Sequence, residues 1–344
     1  MVRAQGSAMD SMLGVRVVPD AAGGLRIDWD DTFTTGPVDI WAGSEPNLAD
    51  VEAPILRDAH SGARLPALGA GRHYFRLVPA QGEALIVARR DVPLDGCVNF
   101  RDLGGYLTDE GRRVRWGRVF RSGHMANLTE AGKHDFAALD IRAICDFRME
   151  EERAAENADL PGSPAMATLG IPPGVGDREF FHRVFASTND PMVVREAIHE
   201  TMRAIVKASA ARYARMFDVL LAAREGSVLL NCSAGKERTG IGSALLLSAL
   251  GVPRDTILFD FMLSRQYFPA ATEVGRVREK YAVRANDEAT ANALVMPLLE
   301  THESYLAAAF AAIDDSHASM KAFLAQACGL GDAELRHLRE HYTC

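Results

Sequence analysis

The sequence is poor in cysteine, and the number of cysteines is odd. The five are Cys97, Cys145, Cys232, Cys328 and Cys344, in a chain of 344 residues. A disulfide-stabilised secreted domain needs an even and much denser set, so a disulfide framework is not expected. We therefore predict a reducing compartment, the cytoplasm, with free thiols.

Long apolar segments are also absent. No run approaches the roughly 20 consecutive apolar residues that a membrane-spanning helix requires, and residues 1–11 lack the apolar core of a signal peptide. We expect no transmembrane segment. Export by a route without a cleaved signal stays open.

An excess of positive charge is the third feature that the sequence lacks. Lys and Arg number 38 against 46 Asp and Glu, giving a net charge of -8 at pH 7. Such a chain is not expected to present the broad basic face of a nucleic-acid-binding protein. Its hydrophobic content of 48% is ordinary for a globular protein, and its length suffices for two domains.

The first 90 residues differ in pattern from the rest. Short alternating segments at residues 14–18, 25–29, 38–41, 72–78 and 84–88 are separated by glycine- and proline-containing turns. Strands at this spacing predict a small all-β sandwich, and the pattern resembles a fibronectin type III or immunoglobulin-like module. We predict this module at residues 1–90 and a second domain at residues 91–344.

The second domain is organised around one strand, loop and helix. The apolar residues 227–230 predict a buried strand, and residues 239–250 predict a helix that ends at Gly251. Between them stand Cys232, five further residues and Arg238. Backbone N–H groups in such a loop meet the positive end of the helix, which forms a cradle for an oxyanion such as phosphate.

Two side chains give this cradle a chemical function. Arg238 supplies a planar fork that can bind two phosphate oxygens at once. Cys232 lies at the base of the cradle, where positive charge favours the thiolate at neutral pH. A thiolate that faces a bound phosphate is a nucleophile for phosphoryl transfer.

Three motifs resemble one protein family. The spacing Cys-x5-Arg-Thr is the signature of the cysteine-dependent protein tyrosine phosphatases, and residues 232–240, Cys-Ser-Ala-Gly-Lys-Glu-Arg-Thr-Gly, look like a bacterial branch of tyrosine and lipid phosphatases. Residues 98–106 and 145–148 resemble two further motifs of that branch, in the expected order. The resemblance covers residues 93–342. It implies an α/β fold with a central sheet flanked by helices, a cysteinyl-phosphate intermediate and no cofactor.

The resemblance also implies roles for individual residues. Thr239 would donate a hydrogen bond to the sulfur as it leaves. The loop residues that would bind the substrate phosphate are Ser233, Ala234, Gly235, Lys236 and Gly240. Relatives usually carry histidine where this chain has Asn231, so the thiolate is expected to have weaker support here.

The sequence leaves the identity of the general acid open. Relatives place an aspartate directly before the arginine, and this chain has Glu237 there. Asp146 and Asp102 are the alternatives, although Asp102 is better explained as a residue that fixes the Gly104–Gly105 turn. A protonated Glu237 predicts an acidic optimum at about pH 5 to 6.

Phosphotyrosine in a protein or peptide is the first choice of substrate. A phosphoinositide or small phosphoester is the second, because Lys236 would add a charge beside the phosphate. A phosphate-binding protein without turnover and a cysteine-loop sulfurtransferase are the alternatives from other classes.

Three other segments carry expectations of their own. Residues 150–152 are all glutamate and are interpreted as a solvated helix start. Residues 180–207 follow a loop-like stretch and form either a lid over the site or a packed pair of helices. His337 and His341 share a helix face but lack a third ligand, so no metal site is expected.

Overall fold

The computed structural model describes residues 14–21, 23–48, 51–69, 71–175, 179–285 and 287–344. Residues 1–11, whose sequence lacks the apolar core of a signal peptide, lie outside this set.

The N-terminal strands form two antiparallel sheets. Their order is β1-β2-β5 in one sheet and β4-β3-β6-β7 in the other. The strands are β1 (Val15–Pro19), β2 (Leu25–Trp29), β3 (Val38–Gly43), β4 (Leu56–Ala59), β5 (Ala63–Arg64), β6 (Tyr74–Pro79) and β7 (Leu85–Ala88). Both sheets contribute apolar side chains to one core, which includes Ile27, Ile40 and Phe75. Strands β4 and β5 were not predicted, because both are short and carry no clear alternation of apolar and polar residues.

A five-stranded sheet forms the centre of the second part. Its order is β11-β10-β12-β9-β8, with β8 antiparallel to β9 and the other pairs parallel. The strands are β8 (Arg101–Asp102), β9 (Val119–Ser122), β10 (Ile141–Asp146), β11 (Ala165–Thr168) and β12 (Ser227–Asn231). Every residue of β12 is buried, as expected for a central strand of a parallel sheet. Sites in such sheets lie at the carboxyl ends of the strands, and β12 ends directly before Cys232.

Helices surround this sheet, so the predicted α/β architecture is confirmed. They are α1 (Glu130–Ala137), α2 (Glu150–Ala155), α3 (Phe180–Ser187), α4 (Pro191–Ala208), α5 (Ala210–Ala222), α6 (Glu237–Ala249), α7 (Arg254–Met262), α8 (Ser264–Tyr267), α9 (Ala270–Lys280), α10 (Glu288–Leu299), α11 (Glu303–Ser316), α12 (Met320–Cys328) and α13 (Asp332–Tyr342). Helix α6 is buried on nearly every side, which explains its continuous apolar sequence. None of the described helices combines the length and the apolar character needed to cross a bilayer.

Two elements differ from the sequence-based expectations. Strand β11 lies in a stretch that was expected to be a loop, because Pro161, Pro164 and Pro172 flank it. Helix α9 was not predicted at all: its sequence is highly polar and lacks a clear capping residue.

Asp102 joins the N-terminal strands to the central sheet. Its buried carboxylate accepts hydrogen bonds from the backbone N–H groups of Gly104 (2.7 Å) and Gly117 (2.8 Å). It also accepts a hydrogen bond, at 2.8 Å, from Arg72, which lies just before β6 in the chain. The favoured structural interpretation of Asp102 is therefore confirmed.

Candidate active site

The loop after β12 wraps around the thiol of Cys232. This side chain is 2% exposed, and the N–H of Gly235 donates to its Sγ at 3.2 Å. Gly235 has a φ of +67°, and a Cβ at this position would lie 2.5 Å from the backbone nitrogen of Gly123. Only glycine allows the loop to lie this close to the end of β9.

Side chains from outside the loop bind its carbonyl groups. The amide nitrogen of Asn99 donates to the carbonyls of Ala234 (3.1 Å) and Gly235 (2.9 Å). Arg121 donates to the carbonyl of Gly235 at 2.7 Å. Carbonyls that are held outward turn the intervening N–H groups toward the inside of the loop, where an oxyanion would bind. The 98–106 motif therefore acts on the site through Asn99.

A buried ion network holds these supports in place. Asp260 on α7 accepts from Arg121 at 2.6 Å and from Arg101 at 3.3 Å, and Tyr106 donates to it at 2.9 Å. Burial alone would raise the pKa of Asp260, but Arg101 and Arg121 outweigh burial and hold that pKa at about 2. The carboxylate is therefore ionised throughout the range in which the protein would work.

We expect Asn99→Asp to lower kcat by about 10²-fold, because an oxygen acceptor would face two loop carbonyls in place of a donor. Asn99 has a φ of +58°, a conformation that aspartate also tolerates, so the backbone strain is matched. Steady-state kinetics with an aryl phosphate measures the effect. Asn99→Gly is the control for backbone conformation, and an Asp variant with wild-type kcat would show that these bonds do not shape the loop.

Arg238 is held by Glu152, one of the three glutamates expected to form a solvated helix start. Its two terminal nitrogens donate to the carboxylate oxygens of Glu152 at 2.6 and 2.8 Å. Glu152 also accepts from the hydroxyl of Ser233 at 2.7 Å. The expectation for residues 150–152 is thus wrong at Glu152, because α2 packs its third residue against the loop. Nothing in the spacing of three glutamates distinguishes that one.

Lys236 does not direct its charge into the cradle. Its side chain is 1% exposed, and its ammonium donates to the carbonyls of Leu298 (2.6 Å), Leu299 (3.0 Å) and Glu300 (2.9 Å). These are the carbonyls at the C-terminus of α10, which a cation stabilises. The loop lysine therefore ties the loop to α10.

A cavity of about 90 Å³ opens over Cys232. Helices α3 and α4 contribute Phe181, Ile198 and Ile205 to its wall, so both helices pack beside the site. Helix α9 and the residue after it contribute Arg276, Val277, Lys280 and Tyr281. The volume is far below the roughly 300 Å³ of a typical ligand pocket. It can hold a phosphate group together with part of the group that carries the phosphate.

The two leading candidates for the general acid lie in different places. Glu237 lines the cavity with Cys232, and one of its oxygens is 3.5 Å from the ammonium of Lys236. Asp146 is fully buried, and its carboxylate accepts from the backbone and the guanidinium of Arg148 at 2.8–3.1 Å. Asp146 lines a separate cleft beside β11. Glu237 therefore shares a cavity with the nucleophile, and Asp146 does not line that cavity.

The remaining predicted residues are close in sequence but differ in placement. Ser233 and Ala234 line the cavity, whereas Gly235, Thr239 and Gly240 do not. The Thr239 hydroxyl is buried, and no described residue hydrogen-bonds it. Both polar atoms of the Asn231 side chain are likewise buried, and no described residue hydrogen-bonds them.

Among the described residues, no cluster of three or more His, Cys, Asp or Glu side chains could hold a metal ion. His337 and His341 stack on each other, and they contact Arg224 and Arg118.

Comparison with known proteins identifies relatives of this arrangement. The sequence model described as "Tyrosine phosphatase family" matches residues 92–344. A protein of Cupriavidus necator assigned to the tyrosine-protein phosphatases is 30% identical over 277 residues, 76% of this chain and 92% of its own length. The triple specificity protein phosphatase of Mycobacterium tuberculosis is 28% identical over 282 residues, 74% of this chain and 98% of its own. A tyrosine-protein phosphatase of Nostoc commune is 27% identical over 154 residues, 43% of this chain and 48% of its own.

Proposed function

The chain belongs to the tyrosine phosphatase family, and from this premise we propose that it hydrolyses phosphotyrosine in proteins or peptides, with Cys232 as nucleophile and Arg238 as phosphate ligand. The observation that carries the proposal is the loop itself. Its carbonyls are held outward by Asn99 and Arg121, and its thiol lies at the base of a small cavity.

The reaction has two steps. The thiolate of Cys232 attacks phosphorus, the bond to the leaving oxygen breaks, and the carboxyl of Glu237 gives that oxygen a proton. Water then attacks the cysteinyl-phosphate, Glu237 takes a proton from the water, and the sulfur–phosphorus bond breaks. Arg238 and the inward N–H groups stabilise the charge on the equatorial oxygens in both steps. Thr239, whose hydroxyl is buried and unpaired among the described residues, would donate to the departing sulfur.

Phosphotyrosine is favoured over a phosphoinositide for two reasons. Phe181 and Tyr281 line the cavity, and aromatic walls suit a phenyl ring. The case for a phosphoinositide depended on a free charge at Lys236, and the ammonium of Lys236 donates to three carbonyls instead.

Turnover of a phosphotyrosine peptide and of an aryl phosphate tests the proposal, measured with chelator over about pH 4.5 to 8, between the carboxyl and thiol pKa values. We expect chelator-resistant phosphate release from both substrates. Binding of vanadate to the site without turnover would instead favour a phosphate-binding protein, and turnover of thiosulfate would favour a sulfurtransferase.

Glu237→Gln tests the assignment of the acid. We expect kcat for the peptide to fall about 10²-fold and the decline of activity toward alkaline pH to disappear, because glutamine donates no proton. The loss should be smaller for a phenol that is a better leaving group. Asp146→Asn serves as comparator and should keep the wild-type pH profile. The reverse pattern would transfer the role to Asp146.

We also propose that residues 1–90 form a fibronectin type III or immunoglobulin-like module beside a catalytic domain at residues 91–344. The two antiparallel sheets with a common core support this division. Calorimetry tests it: separate domains would unfold in two transitions, and one concerted transition would count against them.

A further inference from the structure

Helix α9 places two cations on the wall of the cavity. Arg276 and Lys280 are four residues apart, so they share one face of the helix. Arg276 is neutralised by its neighbours: it pairs with Glu273 at 2.6 Å and with Glu156 at 3.2 Å. Its positive charge is therefore balanced by carboxylates of the protein itself.

Lys280 has no such carboxylate partner among the described residues. Its ammonium lies 5.5 Å from the ring centroid of Tyr281, and it forms no ion pair with any residue that the structure describes. Burial lowers the pKa of Lys280, while the charges of Glu152 and Glu156 act to raise it. Glu152 is bound by Arg238 and Glu156 by Arg276, so neither is available to Lys280.

The other cations around the cavity have partners of their own. Arg238 carries the bidentate contact to Glu152, and Lys236 donates to three carbonyls of α10. Among the described residues that line the cavity, Lys280 is therefore the cation without an acidic partner. It is also solvent-exposed, whereas Cys232 is buried, which places Lys280 toward the mouth and the nucleophile at the base.

We propose that Lys280 forms a second anion subsite, which binds an acidic side chain adjacent to the phosphotyrosine of a peptide substrate. This inference rests on the proposed function. With the phosphate at the base and the tyrosine ring against Tyr281 and Phe181, the flanking residues of the peptide reach the mouth. An unpaired ammonium there selects for negative charge at the flanking position.

A matched pair of peptides tests the subsite. The two carry one phosphotyrosine and differ only in glutamate against glutamine at the preceding position. We expect wild type to favour the glutamate peptide about threefold to fivefold in kcat/KM, the scale of an exposed ion pair. Lys280→Met keeps the apolar stem over Tyr281 and should bring this ratio to about one. Added salt should reduce the wild-type ratio, because screening weakens exposed charges.

Lys207→Met is the control, since Lys207 is an exposed lysine at the end of α4 that does not line the cavity. It should keep the wild-type ratio. A ratio that survives in Lys280→Met, or wild type without a preference, overturns the subsite. A second result would overturn the peptide assignment. In that result, wild type turns over both peptides equally but hydrolyses soluble inositol bisphosphate faster than inositol monophosphate, and the difference is lost in Lys280→Met. Wild type should turn over the glutamine peptide whether or not the subsite exists. Loss of that turnover would therefore indicate failure of the proposed function and not of the subsite.

Discussion

Replacing Cys232 by serine is expected to lower kcat at least about 10⁴-fold, because a serine hydroxyl stays protonated where the thiol can ionise. The loss should extend to every phosphoester, since the same atom attacks phosphorus whatever the leaving group. Phosphate release measured beside wild type, at equal protein concentration and with chelator present, gives the result.

The serine variant should remain folded and able to bind phosphate. The loop shape is set from outside, by Asn99 and Arg121, and the exchange removes little volume from a residue that is 2% exposed. Thermal unfolding and binding of a phosphotyrosine peptide check both points. A variant that folds, binds the peptide and keeps more than about 1% of wild-type kcat would remove Cys232 from the role of nucleophile.

The second large effect is expected at Arg238. Arg238→Lys keeps the positive charge and loses the planar fork, so kcat should fall about 10³-fold, near the lower end of the effect of an arginine at a transferring phosphoryl group. The same exchange leaves the carboxylate of Glu152 without its bidentate partner. Kinetics at saturating substrate separates the catalytic loss from weaker binding.

Glu152→Gln is the matched control for that loss. It keeps Arg238 and removes the charge behind it, so kcat should fall less than in Arg238→Lys, by about tenfold. Equal losses in the two variants would mean that Arg238 acts only through its pairing with Glu152. The unfolding temperature of each variant shows whether either loss reflects stability.

The pairing also has a pH dependence of known sign. Burial alone would raise the pKa of Glu152, but Arg238 outweighs it and holds that pKa well below its usual range. A depressed pKa in the folded state means that the contribution to the free energy of unfolding is complete above the unfolded value of about 4.3. It is lost as the pH falls through the folded pKa. The pair therefore stays intact at an acidic optimum of about pH 5 to 6.

The sequence alone predicted the local features of this protein. The strand before Cys232 and the helix after it follow from apolar segments and a glycine stop, and both are present as β12 and α6. The separation of Cys232 from Arg238 pointed to a phosphate cradle for the same reason. These features depend on neighbours along the chain, so propensity and spacing suffice to predict them.

Tertiary structure decided which side chains meet at the cradle. Glu152 reaches Arg238 from 86 residues away, and Lys236 reaches α10 from more than 60. Asp146 ends the strand next to β12, yet its carboxylate binds Arg148 and faces another cleft. Such partners are selected by the packing of α2 and α10 against the loop. A charge in the sequence shows only that a partner is needed, whereas the folded chain determines which one lies within hydrogen-bonding distance.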